Sequence, residues 1–416
     1  MTSDLSTTIS DGYEGLGPAI SKILHAVTPL VAGNFLREQA QTQGLDIVAM
    51  LDSGVRFIDF RVMYTDAPDK SLGKSWYCLH ACQTRHTAIT YLQQARKWLD
   101  EHPKEIVVFW CSRHGNTDEI GTKQYPNTTP AQRQAFFKDV ESTFNGLLFD
   151  SSKGSLNETP ISTLLSRGQR VIWYAADYVE STSSSTLAMD ARLINNQLPG
   201  AGPGLGSVAA FRKGAATLAE DKARNSFFLM SLADSGHLDR IKYAAYLTFL
   251  PIGRKGNTEK CAKSFGIPGM DAWCPTSLQE YGQLVNYYNQ KILDAMYLEG
   301  NYNKAVDFPN AIYIDGLDNQ GLIRTGTDRI NPLGSARGSS GDEHATTGYA
   351  YVATVIGATL RRLCRRSNIA KKIVCISLAK TVEKARAEHP FVTWNDTIHG
   401  RLANWPVIPN SAQVFV

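Results

Sequence analysis

No run of 18 consecutive apolar residues occurs anywhere in the 416, which argues against a membrane-spanning helix. The first residues, MTSDLSTTISDGYEG, have neither the basic start nor the apolar core of a secretory leader, so a cytoplasmic protein is expected, with a secreted mature form as the alternative. An excess of charge of one sign is also missing. Forty-three Lys and Arg against 39 Asp and Glu give a formal net charge of +4. That permits contact with anionic lipid or phosphate but provides no nucleic-acid footprint. Cysteines are few, odd in number and scattered: Cys78, Cys82, Cys111, Cys261, Cys274, Cys364 and Cys375. Reduced thiols are the plainer expectation, although Cys261 with Cys274 could close one loop in an oxidising compartment. Cys78 and Cys82 lack the second closely spaced pair that a zinc site needs. There is no internal repeat, and no linker long enough to announce a second domain.

What is present is ordinary in bulk: 43% hydrophobic residues, 20% charged, 33 Gly and 17 Pro. A folded, enzyme-like globule follows, near the upper size of one α/β barrel with insertions. The organising stretch runs from Leu51 to Arg113. Its β-branched and aromatic runs predict strands over Arg56–Met63, Trp76–His80 and Ile106–Cys111, with Asp66, Pro68, Asp69 and Gly73 breaking the first two. Ile89, Leu92, Ala95, Trp98 and Leu99 recur at three- and four-residue spacing and predict a helix that Pro103 stops. Strand, covering helix and strand form the unit of a parallel α/β sheet. The first predicted strand carries Asp59 and Arg61 and the second ends in His80. Asp59 and Arg61 lie two residues apart, which places them on one face of a strand.

Elsewhere, Ile20–Thr28 reads as a first strand, Gly33–Leu45 as a connection and Asp46–Leu51 as a helix. Thr117–Thr129 reads as a polar turn region, followed by a helix around Pro130–Phe144 and a buried strand at Arg170–Tyr174. The Ser- and Gly-rich residues 180–225 read as a loop over a barrel mouth or a plain surface insertion. Phe227–Leu232 and Ala311–Asp315 are further strands, Pro251–Pro275 an inserted loop, and Ser277–Tyr297 a helix. Ser335–Gly348 is a Gly/Ser loop and Tyr349–Leu363 an apolar helix. Arg361, Arg362, Arg365, Arg366, Lys371 and Lys372 form a basic cluster that suits a solvated helix end or an anionic membrane.

Three segments carry a family resemblance: Leu51-Asp-Ser-Gly-Val-Arg-Phe-Ile-Asp-Phe-Arg61, the strand end at His80, and Trp98-Leu-Asp-Glu-His-Pro-Lys-Glu-Ile-Val-Val108. In order and spacing they resemble the phosphatidylinositol-specific phospholipase C-like phosphodiesterases, whose catalytic barrel is called the X domain. Weaker echoes lie at Thr42–Ile47, Phe227–Leu232 and Phe308–Asp315.

The resemblance implies a distorted TIM-type (β/α) barrel with loop insertions and a carboxy-terminal extension. The expected boundaries are 1–17 for a polar lead-in, 18–365 for the barrel and 366–416 for the extension. It implies attack of an inositol hydroxyl on the adjacent phosphorus, a step that needs a base, an acid and a cation facing the phosphate. His80 matches the acid, Arg61 the phosphate clamp and Asp59 its supporting acid, while Asp315 corresponds either to the acid that orients the base or to a helix cap or loop contact. Arg113 could add a second phosphate contact. Structural readings stand beside these: a satisfied histidine at 80, a salt bridge between Arg61 and Asp59, a solvated Arg113.

The family's base histidine has no counterpart, because the best placement reads Thr28-Pro29-Leu30-Val31 and proline does not titrate. His25, about 13 Å away along a strand, cannot take the role without a shift. His86, His114 and His344 lie on or near loops. Calcium-dependent relatives carry carboxylates at both positions corresponding to Asp59 and Arg61. Arginine at the second implies the metal-independent type, with no cofactor. The function expected is a phospholipase C-like phosphodiesterase or lyase with a missing or relocated base. The alternatives are a non-catalytic binder of a phosphoinositide or other phosphate-bearing small molecule, and a barrel repurposed for another acid-catalysed cyclisation or elimination. Peripheral membrane contact is open, nucleic acid is excluded, and the oligomeric state is undetermined.

Overall fold

The computed structural model describes residues 4–7, 18–113, 128–156, 158–197, 227–231, 238–250, 254–264, 274–282, 311–313, 323–325 and 328–330. Helices α1 (Pro18–His25), α2 (Pro29–Ala40) and α3 (Ile47–Asp52) precede strand β1 (Phe57–Asp59). Then come β2 (Val62–Asp66), β3 (Lys74–His80), β4 (Cys82–Thr87), α4 (Ala88–Glu101) and β5 (Val107–Cys111). Further on lie α5 (Pro130–Thr143), α6 (Ile161–Ser166), β6 (Val171–Ala175), α7 (Tyr178–Thr182), β7 (Met189–Asp190) and β8 (Ile194–Gln197). Strand β9 (Phe227–Ser231), helices Leu238–Phe249 and Arg254–Ser264, and strand β10 (Ala311–Tyr313) follow.

Two parallel sheets organise the α/β fold, one in the order β1-β5-β6-β7 and the other β10-β9-β8. On one face of the first sheet, Ile58, Phe60, Val107, Phe109, Cys111, Val171, Trp173 and Ala175 pack against α3, α4 and α5. On the other, Phe57, Val108, Ile172 and Tyr174 share a core with Leu164 of α6 and with Ile194, Phe227 and Leu229 of the second sheet. Strands covered on both faces are what parallel α/β sheets require, hence their near-continuous apolar runs. The arrangement is of the TIM-barrel type; closure into a complete ring is not traced among the described residues.

The helices beside the sheet form for local reasons. In α4, Tyr91, Leu92, Ala95, Trp98 and Leu99 bury one stripe, the Thr87 side chain caps the start, and the chain leaves at His102 just before Pro103. In α5, Thr129 and Gln132 form a capping box with Pro130 in the first turn.

Several expectations need correcting. Ile20–Thr28 is not a strand: Ile20, Ile23, Leu24 and Val27 keep helical spacing, and α1 buries Ile20 and Leu24 against α2 and helix Leu238–Phe249. Gly33–Leu45 is mostly α2, whose amino-terminal cap is Thr28. Arg56–Met63 is two strands in two sheets. Trp76–His80 belongs to β3, which pairs antiparallel with β2 and β4 in a separate sheet inserted between β1 and α4. His80 therefore does not stand on a stave of the parallel sheet. Within Pro251–Pro275 lies helix Arg254–Ser264, and Cys261 is joined to Cys274 by a disulfide. Cys78, Cys82 and Cys111 are buried thiols outside any disulfide.

The helix at 89–99, the helix from Pro130, and strands β5, β6, β9 and β10 stand where the sequence places them, give or take a residue or two at the ends. Asp315, His114, His344, the Ser335–Gly348 loop, the Tyr349–Leu363 helix and the basic cluster lie outside the described residues. No described helix is long and apolar enough to cross a membrane.

Candidate functional site at the carboxy-terminal strand ends

Strand β1 lies in register with β5, Phe57 beside Val108 and Asp59 beside Trp110. Phe57 is on the face shared with the second sheet, so Asp59, two residues on, shares that face at the carboxy-terminal end. This is the end where (β/α) barrels assemble their sites.

Beyond Asp59 the chain stays hydrogen-bonded to β5. The Phe60 amide donates to the Trp110 carbonyl at 2.7 Å and the Val62 amide to the Arg113 carbonyl at 3.1 Å. Two residues of advance on one side against three on the other make a bulge over Cys111–Arg113. Next to that bulge, the Ser112 hydroxyl donates to Asp59 Oδ1 at 2.5 Å. The second carboxylate oxygen, Oδ2, accepts from Arg61 Nε at 3.0 Å and lies 2.9 Å from Arg61 Nη2. The Asp59 side chain is nearly buried at 6% exposure while that of Arg61 keeps 26%. The salt-bridge reading of Arg61 is thus realised. The same pairing fixes a planar, permanently charged guanidinium at the rim, partly open to solvent.

His80 reaches the rim by another route. The Leu79 amide donates to the Arg61 carbonyl at 3.1 Å, which brings the end of β3 beside the Asp59–Arg61 segment. After His80 the chain reverses through Ala81, a non-glycine residue at φ 56°. His80 Nδ1 lies 2.6 Å from the Ala40 carbonyl, one of the unpaired carbonyls at the end of α2. A carbonyl only accepts, so Nδ1 carries a proton.

Asp59, Arg61 and Ser112 therefore meet at the β1–β5 strand ends, Arg113 takes part through its backbone carbonyl, and His80 is tied to them through the backbone. Sequence reasoning missed Ser112. A polar residue just past an apolar strand that neighbours the Asp-x-Arg strand was the available signal.

The base positions fare differently. Pro29 opens α2 and Ala40 closes it; at 1.5 Å per residue Pro29 stands about 16 Å along the helix from the carbonyl that holds His80. The Thr28–Val31 segment, where the base motif is expected, is a helix start and not a strand end. His25 is exposed at the end of α1. His86, exposed on β4, pairs through Nδ1 with Asp4 at 2.7 Å, away from the strand-end cluster. Among the described residues no group of three or more His, Cys, Asp or Glu is arranged to hold a metal ion.

An acid–arginine pair thus stands at the carboxy-terminal end of a parallel α/β sheet, with a backbone-tethered histidine beside it. Residues 32–190 match the sequence model of the PI-PLC X family. The mouse PI-PLC X domain-containing protein 1 is 32% identical over 99 residues, 24% of this chain and 28% of that protein. The human PI-PLC X domain-containing protein 1 is 28% identical over 91 residues, 22% of this chain and 27% of that protein. The matched stretch thus spans less than a third of either relative's length. A mutant phosphatidylinositol-specific phospholipase C from Staphylococcus aureus superposes with a TM-score of 0.40 at 14% identity, covering 79% of this chain and 92% of that one.

Proposed function

We propose that the strand-end cluster binds the phosphodiester of a phosphatidylinositol-type lipid and cleaves it, with Arg61 facing the phosphate and His80 transferring the proton. The Asp59–Arg61–Ser112 cluster, inside the matched domain, carries this reading. Asp59 anchors the guanidinium through two of its nitrogens, and the planar, permanently charged fork suits the non-bridging oxygens of a phosphate. In the reaction the proton of a ring hydroxyl passes to His80 as that oxygen attacks phosphorus, the bond to the glycerol oxygen breaks, and the glycerol oxygen takes the proton back from His80. His80, its Nδ1–H spent on Ala40, would exchange protons through Nε2. Asp59 does not serve as the base, since both its oxygens are engaged by Ser112 and Arg61.

A second reading, headgroup binding without turnover, is favoured by one observation: Thr28–Val31 starts a helix and carries no base. The disulfide Cys261–Cys274 favours a secreted form over the cytoplasmic expectation. Turnover of phosphatidylinositol vesicles by the parent, His80→Ala and Arg61→Ala separates the two readings. Parental cleavage that falls about 10²–10⁴-fold in His80→Ala supports the enzyme. No cleavage, with headgroup binding lost only in Arg61→Ala, supports the binder.

A further inference from the structure

Four successive residues near the start of the chain are docked on three different elements. Asp4 accepts from the Tyr91 hydroxyl of α4 and, through the same oxygen, from the His86 amide of β4 at 3.2 Å. Leu5 is bridged antiparallel to Thr84, and the amide and the hydroxyl of Ser6 both donate to the Gln83 carbonyl at 2.8 Å. Thr7 then lies against α2, where a Cβ added to Gly33 would stand 2.6 Å from the Thr7 carbonyl oxygen. No larger residue fits at Gly33 unless backbone shifts.

The segment also completes a core. Leu5 is buried with Phe35, Leu36 and Ala40 of α2 and with Ala81 and Cys82 at the β3–β4 turn. Two of these residues adjoin the histidine of the strand-end site. Ala40 supplies the carbonyl that lies 2.6 Å from His80 Nδ1, and Ala81 follows His80 with φ 56°. That hydrogen bond joins α2 to β3 across 40 residues of sequence, so it holds only while the two elements keep their spacing.

We propose that residues 4–7, seated on Gly33, are positioning residues for His80. They hold α2 against the β3–β4 turn and thereby fix the imidazole beside the Asp59–Arg61 segment, without touching substrate themselves. Their effect on proton transfer rests on the reading of His80 given above; their effect on where the ring is held does not. Misplacing a reacting group by about 1 Å can cost about 10²-fold in rate, even when the change lies far from the chemistry.

The test uses the full chain with 15N-labelled histidine and backbone, the His80 Nδ1–H signal being the one missing from His80→Gln. Gly33→Ala forces α2 and Thr7 apart while giving α2 a better helix former. Leu5→Ala empties the shared core from the other side. Both should displace the Ser6 amide signal and abolish the His80 Nδ1–H signal through exchange with solvent. Ser6→Ala, which keeps the amide bond and the core, should show the same loss at His80 in smaller measure. Leu164→Ala, a truncation in a separate core, should lower stability and leave both signals in place. On phosphatidylinositol vesicles, kcat should fall about 10–10²-fold in Gly33→Ala and Leu5→Ala, with KM near the parental value. A Ser6 amide undisturbed by Gly33→Ala, or one displaced while the His80 signal persists, would overturn the proposal. So would a His80 signal lost equally in Leu164→Ala. An inactive parent would overturn the enzyme reading alone, because the ring signal still decides whether the segment positions His80.

Discussion

Ser112 donates its hydroxyl to Asp59 across the β1–β5 seam at 2.5 Å, and so engages the carboxylate oxygen that Arg61 does not hold. Replacing Ser112 with Ala leaves Oδ1 of a nearly buried carboxylate without that donor. A destabilisation of about 1–3 kcal/mol in urea unfolding is expected, together with weaker headgroup binding as Arg61 loses a fixed anchor. A Ser112→Ala protein with parental stability and affinity would show that the contact is incidental.

The core between the parallel sheet and its helices depends on aromatic packing. Phe109 is fully buried and touches Phe60, Phe144 and Trp173. Phe109→Ala should cost about 3–5 kcal/mol by denaturant unfolding, through lost burial and the cavity left behind. A loss under 1 kcal/mol, roughly the cost of a single buried methylene, would mean that the sheet is not packed as described.

The segment around Leu5 is bridged antiparallel to Thr84, and Asp4 accepts from the Tyr91 hydroxyl and from His86. Burial raises the carboxyl's pKa, but hydrogen bonds from Tyr91 and His86 together outweigh it and hold Asp4 below its ordinary 3.8. The folded value is the lower one, so this attachment contributes stability above the unfolded value. It is lost as pH falls through the folded one. The Ser6 amide, bonded to the Gln83 carbonyl, reports it by NMR. Its signal should hold its bonded position at neutral pH, leave it below the carboxylate range, and be displaced at neutral pH in Asp4→Asn. A signal unaltered by acid or by the variant would contradict the clasp.

Burial pushes the thiols of Cys78 and Cys82 up to about 12, and that of Cys111 well above its ordinary value. The thiolate is the reactive form. Alkylation of the native protein followed by peptide mass mapping should leave these three unmodified, with Cys261 and Cys274 recovered as one linked pair. Rapid native labelling of Cys78 or Cys82 would contradict their burial.

Much of this architecture was legible in the sequence, and its failures have physical causes. The α4 stripe and the apolar runs of β5, β6 and β9 identify themselves because buried helices and doubly covered strands leave distinct patterns. Asp59 and Arg61 do pair, but Arg61 lies past the end of β1 and before β2 rather than on the same strand, because the chain leaves one sheet for another there. Ile20–Thr28 misled because a short apolar run fits both periods, and the three- and four-residue spacing of Ile20, Ile23, Leu24 and Val27 was the one that mattered. The sheet of β2, β3 and β4 was not separable from the parallel strands, since strand propensity does not reveal the partner. Ser112 was invisible because the bulge beside it is a property of pairing between two strands distant in sequence.

The most direct test is a calorimetric titration of myo-inositol 1-phosphate into the parent, Arg61→Lys and Arg61→Ala, with circular dichroism to confirm folding. Charge-assisted hydrogen bonds from a fixed guanidinium are worth about 1.5–3 kcal/mol. Arg61→Ala should therefore bind at least tenfold more weakly than the parent, and Arg61→Lys should recover only part of the loss because its ammonium lacks the planar fork. Equal affinity in all three folded proteins would contradict the account.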